Sequence, residues 1–69
     1  MKNHTYKKIE LTGTSDKSQE AAVENAIEKA SQTVDEMGWF EVIETRGSIK
    51  DGTVAQWQVV IKVGFTLKG

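Results

Sequence analysis

Apolar positions recur along this chain with two different periods, and the switches between them mark its elements. From residue 53 to residue 67 the period is two. Ala55, Trp57, Val59, Ile61, Val63, Phe65 and Leu67 alternate with Gln56, Gln58, Val60, Lys62, Gly64 and Thr66. Successive side chains of a strand point to opposite faces, so this segment is a strand with one apolar face and one mostly polar or small face. Residues 6–15, YKKIELTGTS, are also extended in character. Thr5, Lys7, Ile9 and Leu11 share one face and Tyr6, Lys8, Glu10 and Thr12 the other, until Gly13 interrupts the pattern. WFEVIETRGSI, residues 39–49, is another strand, and the KDG link after it contains Asp51-Gly52, a strong hairpin signal.

Between the first two strands the period lengthens. Val23, Ile27, Ala30, Val34 and Met37 follow one another in steps of four, three, four and three. That spacing predicts one stripe of a helix over 17–37, widened by Ala22, Ala26 and Thr33. Glu20, Glu24, Glu28, Lys29, Gln32 and Asp35 fall mainly on the solvent side. Ser15 and Asp16 are candidate N-caps, and Asp16 with Gln19 resembles a capping box. Glu20 suits the positive end of the helix, and Gly38 is placed as its C-terminal stop. The order is β-α-β-β in a single domain over 1–69. An antiparallel three-stranded sheet with the helix packed on one face is expected, an α+β fold.

Length adds an expectation about assembly. A strand over 53–67 spans roughly 50 Å, whereas the helix covers only roughly 30 Å. The uncovered apolar overhang marks an interface. Composition points the same way. The chain has 69 residues, no cysteine and a single histidine, His4. It therefore has neither disulfides nor a thiolate metal site to reinforce a core that, at this size, rarely supplies more than about 3–5 kcal/mol. A homo-oligomer is expected on both grounds.

Charge and hydropathy exclude other classes. Nine basic against ten acidic residues give a net charge of −1, without the basic excess a nucleic-acid partner calls for. The apolar runs are far short of the roughly 20 residues that span a bilayer. MKNHTYKK lacks the apolar segment of a signal peptide, so a soluble cytoplasmic protein is expected. No Ser-His-Asp or Cys-His set can be assembled, and no glycine loop matches a phosphate-binding pattern. Glu41 and Glu44, three apart on a strand, are expected on opposite faces, which leaves no carboxylate pair for acid–base work.

The tryptophans, a glutamine and an arginine remain as candidates for binding. Trp57 lies on the apolar face and suits a core or a subunit interface. Gln58, on the other face, offers both an acceptor and donors, which suits either solvent or the polar edge of a heterocycle. Trp39 either caps the helix end or, if Phe40 and Val42 take the core side, faces away and presents a flat π-surface for stacking. Arg46 falls on the Phe40 and Val42 side by strict alternation, unless a bulge at Gly47 re-aims it. It suits an intersubunit ion pair or a phosphate contact.

The motifs ELTGTS, WFEVIETRG and AQWQVVIKVGFTL, at these separations in so short a chain, resemble the dodecins over nearly the whole length. The resemblance implies a hollow dodecamer that binds flavins in pairs near two-fold axes. Carried over by motif, Trp39 stacks on the flavin, Gln58 bonds the polar edge of the ring, and Arg46 lies near the ligand or the subunit contact. It also implies storage and buffering of flavin with quenching of its photochemistry, and no turnover. Two positions depart from the family pattern. Trp57 stands where relatives often carry tyrosine, phenylalanine or histidine, and Thr66 where several bacterial relatives carry arginine. Riboflavin and FMN are both expected ligands; coenzyme A, bound by some bacterial members, finds no signal in these residues. The competing expectation is an oligomeric scaffold with purely interfacial tryptophans.

Overall fold

A computed structural model describes residues 3–67. Its elements are β1 (Tyr6–Ser15), α1 (Gln19–Ala30), β2 (Met37–Lys50) and β3 (Thr53–Thr66). The strands form one antiparallel sheet in the order β1-β3-β2, so the most apolar strand takes the centre. Val59, Ile61 and Val63 of β3 are almost fully buried on the helix face, and Val60 is buried on the other face between its neighbours. Asp51 and Gly52 both have positive φ, 53° and 78°, and Lys50 pairs with Thr53 across this two-residue turn. That is the conformation in which a tight hairpin matches the twist of its strands.

The helix is shorter than its periodicity predicts. It begins two residues after residue 17 because Ser18 is the N-cap, its hydroxyl accepting from Ala21 N at 3.0 Å. Ser15 instead ends β1 and accepts from Lys17 N at 3.0 Å, and Asp16 caps nothing. At the other end the Ser31 hydroxyl donates to Glu28 O at 2.6 Å, and the chain leaves the helix through turns at 31–33. Serine and β-branched threonine favour such exits. Glu36 is left-handed (φ 63°), and Met37 opens β2 rather than closing the helix stripe. Gly38 is correspondingly not the helix stop. It is the extra residue where the β2 register shifts between Met37 and Trp39.

Ala22, Ala26 and Ala30 form the buried line of α1, with Val23 and Ile27 flanking it. These small side chains let the helix settle directly onto Gly13 of β1, where any Cβ would run into Ala22 and Ala26. The helix lies across β1 and β3 and leaves β2 largely uncovered. Phe40 (47% exposed) and Val42 (53%) therefore stand open on the helix side. With Val23, Ile27 and Val59 they line a groove of about 400 Å³ between α1 and β2. The overhang expected from the strand–helix length mismatch is confined to Ala55 and Leu67, which are exposed; the larger uncovered apolar surface lies on β2, because the helix sits over β1 and β3 instead.

Candidate functional site

Trp39 enters the sheet after the irregularity at Gly38. Met37 pairs with Phe65 on the helix side, and Trp39 pairs with Gly64 on the opposite face. Its indole lies flat over Gly64, since a Cβ built there would overlap three of its ring atoms. Tyr6 meets the same indole edge-on, with centroids 5.3 Å apart and planes at 76°. Phe40 and Val42 take the core side, paired with Val63 and Ile61. Trp39 is thus not a cap over the helix end. It is a flat aromatic surface on the face away from the helix, backed by main chain on one side and 38% exposed.

Arg46 reaches this face as well, contrary to strict alternation. A second register shift lies between Val42, paired with Ile61, and Glu44, paired with Val60. Ile43 is the extra residue, so the side chains from Glu44 to Ser48 change face, up to a third shift between Ser48 and Ile49. Gly47 is not the bulge. Arg46 consequently pairs with Gln58. Its Nε donates to Gln58 Oε1 at 2.9 Å and its Nη1 to Glu44 Oε1 at 3.0 Å. Gln58 Nε2 in turn donates to Gln56 Oε1 at 3.0 Å. The chain Glu44–Arg46–Gln58–Gln56 fixes which end of the Gln58 amide is acceptor and which is donor. The same shift overturns the expected separation of Glu41 and Glu44, which occupy one face. Glu41 is paired with Lys8 Nζ at 2.7 Å and Glu44 with Arg46, so they do not make a free carboxylate pair.

All three candidate residues share the outer face, but a single protomer does not bring them together. Gln58 and Gly64, the seat of Trp39, are six residues apart on β3, roughly 20 Å at about 3.3 Å per residue. Lys8 lies in the row of Trp39 and Gly64, and Glu41 and Lys62 lie in the next row. Tyr6, Gly64 and Gln56 join the site without having been singled out in the sequence, and Glu44, considered there only as a carboxylate beside Glu41, joins it as the partner of Arg46. Alternation already put Tyr6, Gly64 and Gln56 on the polar faces of their strands. The cross-strand register that makes them partners carries no local signature. Trp57, on the helix side, packs partly buried against the core.

The geometry defines a small α+β protein that displays an aromatic platform and a separate amide–guanidinium cluster on one open sheet face. Comparison with known proteins gives that class its family. Residues 5–68 match the family model for dodecin. The dodecin of Thermus thermophilus is 48% identical over 63 residues, 91% of this chain and 91% of its own. The structure of dodecin from Streptomyces coelicolor superposes with a TM-score of 0.95 at 51% identity, covering 100% of this chain and 99% of that one. A tryptophan-to-phenylalanine variant of the Thermus protein has also been solved; it gives 0.93 at 43% identity, covering 97% of this chain and 100% of its own. This chain belongs to the dodecin family, small oligomeric flavin-binding proteins.

Proposed function

We propose that this protein stores and buffers flavin in the cytoplasm as a closed assembly of twelve subunits. It holds riboflavin or FMN as stacked pairs between Trp39 side chains related by two-fold axes. Gln58 hydrogen-bonds the polar edge of the ring system, and Arg46 holds Gln58. The observation that carries this reading is the Trp39 indole, laid on main chain with its other face turned outward, away from the α1–β2 groove. A planar ring stacked there is too far from Gln58 of the same protomer, so the two contacts come from different subunits. An indole in van der Waals contact with an excited flavin can donate an electron and take it back, so the absorbed light ends as heat.

The relatives add support at two positions. In the Thermus protein the substituted tryptophan and one substituted arginine stand seven positions apart, the spacing of Trp39 and Arg46. A second substituted arginine lies twenty-seven positions after that tryptophan, where this chain has Thr66. The missing guanidinium removes a charge that could meet a phosphate, which favours riboflavin here relative to a chain with arginine.

Titration of the apoprotein with riboflavin, then FMN, following flavin emission, tests the proposal. Quenching that saturates near one flavin per subunit is expected. In Trp39→Ala the assembly is expected to persist while quenching is lost. Loss of the assembly itself in that variant would make Trp39 an interface residue and the protein a scaffold.

A further inference from the structure

An indole on a sheet surface normally shares its space with the side chain across from it, and here there is none. Trp39 and Lys8 are the two neighbours of Gly64 across the sheet. A Cβ on residue 64 would sit inside the indole, against Cε2, Cζ2 and Cη2. The ring therefore rests on the β3 backbone itself. Tyr6, two residues before Lys8 on the same face of β1, stands nearly upright against it at 76°. The ring of Tyr6 approaches from the β1 side and Trp39 reaches over from β2, so the two meet above the central strand. One indole face is closed by main chain, Tyr6 packs against the ring in a T-shaped pair, and the indole keeps 38% of its surface exposed.

We propose that Gly64 and Tyr6 are positioning residues for the Trp39 platform: a bare backbone seat and an aromatic wall that fix the indole plane before any ligand arrives. The role rests on the flavin reading given above. Its physical content is pre-organisation. A tryptophan held in its stacking orientation in the free protein loses less side-chain freedom on binding, and the ligand meets a ring already seated over Gly64. Tyr6 is open to substitution from the surface side, whereas Gly64 is buried beneath the indole. Tyr6 is 53% exposed, and β1 remains a strand without its ring. Edge-to-face contact needs an aromatic ring but not its hydroxyl. The conservative variant Tyr6→Phe therefore separates a stacking role from any role of the hydroxyl.

The experiment uses the assembled protein carrying Trp57→Phe, which leaves Trp39 as its single tryptophan. Time-resolved fluorescence anisotropy of the ligand-free protein reads the motion of the indole, and a riboflavin titration reads affinity. In the Trp57→Phe parent the indole is expected to rotate only with the whole assembly. Adding Tyr6→Ala should introduce a fast local component on the nanosecond scale and weaken riboflavin binding by about two- to tenfold. Tyr6→Phe should restore both. Gly64→Ala should displace the ring and weaken binding by more than about tenfold; if it fails to assemble, the Tyr6 variants decide alone. An indole equally immobile in Tyr6→Ala, or a change in one readout without the other, would overturn the proposal. A parent that quenches neither flavin overturns the flavin reading and not the seat, which the anisotropy then tests by itself.

Discussion

Arg46 shows how one inserted residue decides what a side chain is for. With Ile43 outside the register, the guanidinium lands beside Gln58 and bonds it and Glu44 with two different nitrogens, at 2.9 and 3.0 Å. A planar fork makes both contacts at once, which a lysine ammonium on a flexible stem does not. If Arg46 works by holding the Gln58 amide, Arg46→Ala should weaken riboflavin and FMN equally, by about two- to tenfold, the range of one hydrogen bond. Parallel emission titrations with both flavins check this; a selective loss of FMN would mean that Arg46 meets the phosphate instead. Trp39, Gln58 and Arg46 were legible as candidates by side-chain type and by the WFEV, WQV and TRG motifs that resemble the dodecins. The face of Arg46 was not. A bulge at a β-branched residue leaves no mark in the hydrophobic alternation, and the glycine that invited one, Gly47, stays in register with Trp57.

At the scale of elements, the helix matters for what it fails to cover. Its contact with the sheet is set by Gly13 under Ala22 and Ala26, and by Asn25 Nδ2 donating to Thr14 O at 3.0 Å. Gly13→Ala drives a methyl group into the Ala22 backbone and the Ala26 side chain. Overpacking of this kind costs about 1–3 kcal/mol. Ser18→Ala removes only the N-cap bond and should cost about 1 kcal/mol. Urea unfolding at one fixed protein concentration should therefore rank Gly13→Ala at or below Ser18→Ala in midpoint; the reverse order would mean that the helix does not sit on Gly13. The element order and the strand limits could be read from periodicity to within two residues. The end of the helix could not. Val34 and Met37 continue the helical spacing by coincidence as the chain leads into β2. The stop lies in the weak helix formers Ser31, Thr33, Val34 and Asp35, which a count of apolar positions passes over.

The whole molecule is a thin plate, 55 × 21 × 13 Å, in which the strongly buried hydrophobic side chains among the described residues come from the helix and the central strand. Three of those seven residues are alanines, so the protomer buries little for its length. At roughly 25 cal/mol per Å², covering Phe40 and Val42 is worth about 1.5–3 kcal/mol for each side chain fully buried. A second copy of the chain is the occupant that a homo-oligomeric family implies for the groove between α1 and β2. The platform at Trp39 faces the other way, so assembly through the groove and stacking on the indole are separable. Phe40→Glu with Val42→Lys puts two charges where an apolar contact forms and leaves the Trp39 face untouched. That pair should shift the protein to smaller species in size-exclusion chromatography and lower its unfolding midpoint. Flavin quenching should disappear with the assembly, because no protomer has Gln58 within reach of a ring on its own Trp39. Trp39→Ala should show the converse, an intact assembly that no longer quenches. A charged groove that leaves the assembly whole would place the subunit contacts elsewhere. Quenching retained by the dissociated protein would mean that one protomer binds flavin by itself, and the division of the site between subunits would fall.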